Sequence, residues 1–157
     1  PEYHQVSTMA YDFNGRPMPY YYNVFDGYRY FNAFAVGVDR EGNLLWSNGM
    51  KIWDKQTMEL RKSVNAFIDT SSVVMFYNHE GKIISKVLDG YNQLGSVEKT
   101  RLATKYINDV QIESSGGMIK HWYENYFLAY GYQTLRNSEL GGGSKRRVFY
   151  FNKLVFN

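Results

Sequence analysis

Residues 28–46, YRYFNAFAVGVDREGNLLW, decide how this chain is read. Two apolar and aromatic runs stand on either side of Asp39-Arg40-Glu41-Gly42-Asn43. Asp39 can accept hydrogen bonds from the amides of its own turn, and Gly42 can take the left-handed conformation that a side chain resists. Together they specify a hairpin closed by a type I turn and a glycine bulge. On the flanks, Val36 and Val38 alternate with Ala35 and Gly37, and Leu44 and Trp46 alternate with Leu45. Both faces are apolar, so these strands are expected to be covered on both sides.

The pattern recurs at Asp12-Phe13-Asn14-Gly15-Arg16 and at Asn78-His79-Glu80-Gly81-Lys82. The second echo makes Asn78 and Gly81 turn residues in the same sense as Asp39 and Gly42. Before it, Val73, Met75 and Tyr77 oppose Val74 and Phe76, again apolar on both faces. Repeated hairpins of this kind define an all-β chain of antiparallel strands. Composition agrees: aromatic residues are 18% of the 157, with 15 Tyr and 10 Phe, and these favour strands.

Outward from the centre, residues 5–12 read as a strand, and Pro17 and Pro19 are expected to interrupt pairing because neither can donate to a ladder. Tyr20 to Phe25 resume it. Asp26-Gly27 reads as a hairpin turn, and Ser47-Asn48-Gly49 as another. Strands follow at 63–69 and 72–78, with Thr70-Ser71 between them and a turn at Asp89-Gly90. Residues 91–105 read as loop with room for a helical turn. Residues 106–113, 118–122 and 126–135 read as strands, with a turn at 114–117. Residues 137–145 read as a mobile loop, and 146–156 as a last strand pairing back on 126–135. Trp46 and Trp53, at the ends of apolar strands, are expected to be buried.

The segment 47–60, SNGMKIWDKQTMEL, resembles the end of a WD-repeat propeller blade, where a glycine turn precedes an apolar strand closing in Trp-Asp. Gly42 and Gly81 are also about 40 residues apart, near the ~40–45 of a blade. The Gly-His of that family is missing, and Trp-Asp does not recur. WYENYFLAYGYQ and VFYFNKLVF resemble the closing strands of exported all-β proteins of propeller type. The resemblance implies propeller-like blades, with a sandwich or barrel as the alternative. Three blade-like units cannot close a ring of about four to eight, so residues 1–157, one all-β domain, would be a C-terminal piece of a longer protein, an open partial propeller, or blades sharing strands with another chain. It implies an extracytoplasmic location too, in keeping with a chain that opens on Pro1.

Several chemistries find no support. The net charge of +3 is mild and the basic residues are scattered, which argues against nucleic acid as a partner. Without cysteine there are no disulfides or thiolate ligands, and no apolar run reaches the ~18 residues of a membrane-spanning helix. His4, His79 and His121 fall in no metal-binding spacing, so no metal or cofactor is expected. There is no Gly-x-Ser-x-Gly elbow, and Gly141-Gly142-Gly143-Ser144 lacks the order of a phosphate loop.

Candidate carboxylates are Asp39, Glu41, Glu80 and Glu124, of which Asp39 is better explained as a turn cap. The aromatic clusters are the best functional clue. Tyr20, Tyr21 and Tyr22, and Trp122 with Tyr123, are consecutive and cannot all face one core along a regular strand. Either both faces are buried between sheets, or these rings form a surface for a glycan or another protein. The reading is a non-catalytic exported binding or scaffold module. The alternative is a fragment of a carbohydrate-active hydrolase, which would need two carboxylates across a groove.

Overall fold

A computed structural model describes residues 1–69, 72–139 and 145–156. The turn expected at Thr70-Ser71, and residues 140–144 of the expected loop, lie outside the described residues. Among the described residues there is no helix. The strands are β1 (Glu2–Tyr11), β2 (Pro17–Val38), β3 (Leu44–Thr57), β4 (Asn65–Ile68), β5 (Val73–His79), β6 (Lys82–Asp89), β7 (Asn92–Arg101), β8 (Val110–Tyr123), β9 (Tyr126–Arg136) and β10 (Lys145–Val155). They form antiparallel sheets in the orders β1-β2-β3, β4-β5-β6-β7 and β10-β9-β8. The chain divides into two compact units, one of Pro1–Phe31 with Ile52–Arg61, the other of Asn32–Lys51 with Lys62–Asn157.

In the first unit the Asp12 turn follows its sequence. The Asp12 carboxylate accepts from the amides of Asn14 and Arg16, and Gly15 has φ +76°. The prolines do not interrupt pairing. The Asp12 amide donates to the Arg16 carbonyl, so the next pair out, Tyr11 with Pro17, carries no ladder bonds, and neither does Met9 with Pro19. Asp26-Gly27 is not a turn either. Glu2 pairs with Gly27 and Tyr3 with Phe25, so Asp26 is the extra residue of a bulge inside β2. Gly27 has φ +115°, and a Cβ there would meet the Thr57 carbonyl oxygen at 2.5 Å. The glycine serves close backbone approach rather than reversal of the chain.

In the second unit the Asp39 turn is built as expected. Asp39 Oδ1 accepts from the Asn43 amide at 2.7 Å and Oδ2 from the Asn43 side chain at 2.8 Å, while Gly42 has φ +90°. These bonds hold the Asp39 carboxyl below its ordinary pKa, the Asn43 side chain contributing most. The hairpin it closes is not covered on both sides. Val36, Val38, Leu44 and Leu45 are all more than half exposed. On the opposite face the half-buried Trp46 indole lies on Gly37, where a Cβ would stand 2.2 Å from Nε1. Trp53, which belongs to the first unit, is 47% exposed and not buried either. Ser47-Asn48-Gly49 continues β3, with Asn48 donating to the Tyr91 carbonyl and accepting from Lys86 Nζ.

Strands β5 and β6 of the β4–β7 sheet meet the expectation of two covered faces. Val74 and Phe76 are buried on one side, Met75 and Tyr77 on the other. The Val74–Phe76 face joins Ile83, Ile119, Phe127, Ala129 and Tyr150 in one core between this sheet and β8–β10. The Phe76 ring lies 4.7 Å edge-on from Phe127 and 4.3 Å from Phe156. Behind the other face, Lys86 Nζ donates to the Gly49 carbonyl at 2.6 Å.

The third turn departs from its recipe. His79 pairs with Lys82, leaving only Glu80 and Gly81 in the loop, both left-handed at φ +48° and +68°. That is a two-residue type I′ turn, and Asn78 is a buried strand residue whose side chain donates to the Tyr150 hydroxyl at 2.6 Å. At Gly42 a Cβ would meet nothing within 4 Å, whereas at Gly81 it would stand 1.8 Å from Gln111 Oε1. Gly42→Ala should therefore cost about 1 kcal/mol from backbone strain alone, and Gly81→Ala should cost more by the exposed hydrogen bond to the Glu80 carbonyl that Gln111 gives up as its tip swings aside. Urea denaturation of both variants checks the ranking.

Two further segments differ from expectation. Residues 92–101 are strand β7, exposed along its whole length, because it extends the β6 ladder as an edge and has no buried face. Residues 114–117 are a bulge within β8, marked by the register shift between Ser115 and Met118, and the strand expected from 106 begins only at Val110. Residues 106–109 form a turn, in which the Asp109 amide donates to the Tyr106 carbonyl.

Candidate functional site

The aromatic clusters are exposed. In the first unit Tyr20 and Tyr22 share a face of β2, their rings stacked at 6.0 Å, and Tyr21 projects from the other. All three are 42–57% exposed, so burial between sheets is not their role. Tyr28 and Tyr30 are half-buried and structural. Tyr28 packs edge-on against Phe25, and the Tyr30 hydroxyl donates to the Arg61 carbonyl and accepts from the Arg61 amide.

In the second unit Trp122 and Tyr123 have their rings 4.8 Å apart, although consecutive strand residues normally point to opposite faces. The cause is a bulge: His121 pairs with Phe127 and Tyr123 with Tyr126, leaving Trp122 as the extra residue. Tyr123 also lies 4.7 Å from Tyr126. Lys153 Nζ stands 3.8 Å from the Tyr126 ring centre, and 5.9 and 5.8 Å from Trp122 and Tyr123. The two-residue turn beneath is held by Glu124, left-handed at φ +45°, whose carbonyl contacts His121 Nε2, and by Asn125 donating to the Phe156 carbonyl.

This cluster is one end of a larger surface. The outward face of the β8–β10 sheet is ordered in rungs by its register. Lys145 stands beside Arg136, and Arg147 beside Thr134 and Glu113. Phe149 then stands beside Tyr132, and Phe151 beside Tyr130. Lys153 follows beside Leu128 and Lys120, and Val155 beside Tyr126 and Tyr123. Phe149, Phe151 and Tyr132 are 56%, 61% and 46% exposed, and Arg147 sits over the Tyr132 ring at 5.1 Å. The expected ligand residues did not include Phe149, Phe151, Tyr130 or Tyr132. The signal for them was the shared parity of Arg147, Phe149, Phe151 and Lys153 along one strand.

The carboxylates have structural or solvent-facing positions. Asp39 caps its turn, Glu41 is exposed, and Glu80 and Glu124 occupy tight turns. A cleft of 810 Å³ opens beside Glu80, Arg101, Gln111 and Glu113. Asp109 borders it, but its side chain is fully buried, ion-paired with Arg146 and hydrogen-bonded by Asn137. Burial would raise its pKa, yet the hydrogen bonds from Asn137 and Arg146 outweigh it and hold the carboxyl below its ordinary value. A folded-state pKa below the unfolded one stabilises above about pH 3.9 and ceases to do so as pH falls through the lower folded value. Asp109→Asn should therefore flatten the acid limb of a melting-temperature profile taken from about pH 5 to 2.

Among the described residues no three His, Asp or Glu side chains gather as metal ligands. His4 pairs with Asp26 at 2.6 Å, while His79 lies 3.8 Å from Glu80. Among the described residues no helix is long and apolar enough to cross a membrane. No family model, curated protein or solved structure matches the chain.

Proposed function

We propose that the chain is a non-catalytic binding module whose exposed aromatic side chains take a glycan. The observation that carries this is the Trp122–Tyr123–Tyr126 cluster, in which the Tyr123 ring contacts both of the others, with Trp122 and Tyr123 open to solvent and held by a bulge and a two-residue turn. Tyr and Trp rings present rigid apolar faces at little entropic cost, and the apolar faces of sugar rings stack on such surfaces. Tyr20, Tyr21 and Tyr22 give the first unit a second surface of the same chemistry. A glycan partner favours an exported module working outside the cytoplasm. The in-order meander β4–β7 has the strand number of a propeller blade, which supports a blade-like repeat within a longer scaffold.

A glycan array followed by calorimetric titration tests the proposal. Binding is expected in the micromolar to millimolar range, because a few stacked rings do little more than offset the entropy lost on association. Trp122→Ala should weaken it by about tenfold or more, roughly the loss of one well-placed ring. Absence of binding to every glycan, or binding indifferent to Trp122→Ala, Tyr123→Ala and Tyr21→Ala alike, would leave the rings without this role.

A further inference from the structure

We infer that the outward face of the β8–β10 sheet binds an acidic polysaccharide, a polymer whose sugar rings stack on the aromatic rungs while its carboxylates meet the cations at either end. This rests on the glycan-binding reading and adds the class of glycan. Every charged side chain on these rungs is cationic except Glu113. The charges are not dispersed. Arg147 and its neighbours lie at one end, Lys153 and Lys120 at the other, with the Phe149 and Phe151 rungs between them. Arg147 and Lys153 are six residues apart on one strand, roughly 20 Å at about 3.4 Å per residue.

Rings and cations are already organised together. Arg147 lies over Tyr132 and Lys153 over Tyr126, so each cation is oriented beside an aromatic face before any ligand arrives. The same arrangement argues against single-stranded nucleic acid. A phosphate backbone needs a continuous cationic groove running beside its stacked bases. Here the middle of the face, from Phe149 to Phe151, carries no charge. A polymer with spaced carboxylates and apolar ring faces matches that sequence of rungs.

Titration of the full chain with a polygalacturonate, with the same polymer fully methyl-esterified, and with a single-stranded oligonucleotide tests the inference. The free acid is expected to bind most tightly and to weaken as salt is raised. The double substitution Arg147→Gln and Lys153→Gln should reduce its affinity roughly tenfold, as two exposed charge contacts would, and weaken binding of the ester much less. Both positions are exposed, and a thermal melt verifies that the variant is folded. Phe149→Ser should weaken the acid and the ester alike. Equal binding of acid and ester would overturn the acidic ligand while leaving a glycan site in place. Tighter binding of the oligonucleotide would overturn it in favour of nucleic acid. Binding of neither polymer, with some other glycan bound on the array, would remove this face from the site. No binding to any glycan would remove both readings together.

Discussion

Phe76→Ala should lower stability by about 3–5 kcal/mol, the cost of deleting a fully enclosed aromatic ring and leaving a cavity. Phe76 has no exposed surface. It is also where the β4–β7 and β8–β10 sheets meet, with Phe127 edge-on and Phe156 stacked on it. The space cannot close without moving β9 or the residues after β10. Equilibrium denaturation in urea, read by far-ultraviolet circular dichroism, would show the transition midpoint fall steeply. A loss below about 1 kcal/mol, the size of an average substitution, would mean that this core is not the one that holds the unit together.

The second large effect is expected at Gly27. Its φ of +115° lies where L side chains rarely go, and an added Cβ would meet the Thr57 carbonyl oxygen at 2.5 Å. Backbone cannot swing aside as a side-chain tip can. Gly27→Ala thus combines strain of about 1–3 kcal/mol with overpacking of similar size, for an expected loss of roughly 2–4 kcal/mol. Gly15→Ala, also at positive φ but with nothing within 4 Å of the new carbon, should cost about 1 kcal/mol. The difference between the two, measured in one denaturation series, isolates the close approach from the backbone conformation. Equal losses would show that the bulge can widen to accept a methyl group.

The hairpins were legible because short-range chemistry specifies them. Asp12 with Gly15, and Asp39 with Gly42, build their turns from residues within the turn, and neighbours at long range are not needed. Burial was less legible. Val36 and Val38 look like core residues, and so do Val74 and Phe76; only the second pair finds a sheet to pack against. An alternating apolar pattern gives the face of a strand and says nothing about what covers it.

Glycine and small polar residues misled in one direction. Asp26-Gly27, Ser47-Asn48-Gly49 and Ser114–Gly117 all read as turns, yet each lies inside a strand. Two of them are bulges, and Gly49 keeps an ordinary backbone, its open side facing the Phe34 ring at 3.3 Å from where a Cβ would stand. Whether a glycine reverses a strand or lets another chain come close depends on neighbours distant in sequence, such as Thr57 for Gly27. The aromatic cluster shows the same limit. Trp122 and Tyr123 were legible as surface candidates, but their contact depends on a register shift against β9, which alternation within β8 cannot reveal.

The order of the strands also bears on how the chain acquires its fold. Every hydrogen-bonded neighbour in the three sheets is also a neighbour in sequence. Each ladder can zip from its own turn, so the slow search for distant partners is confined to the docking of one sheet on another. During synthesis the β4–β7 meander can form before β8 has left the ribosome. Val74, Phe76 and Ile83 then face water until β9 arrives with Phe127 and Ala129. For that interval the nascent chain presents an unshielded apolar sheet, the kind of surface on which aggregation begins. The distance along the chain from β6 to β9 sets how long it lasts.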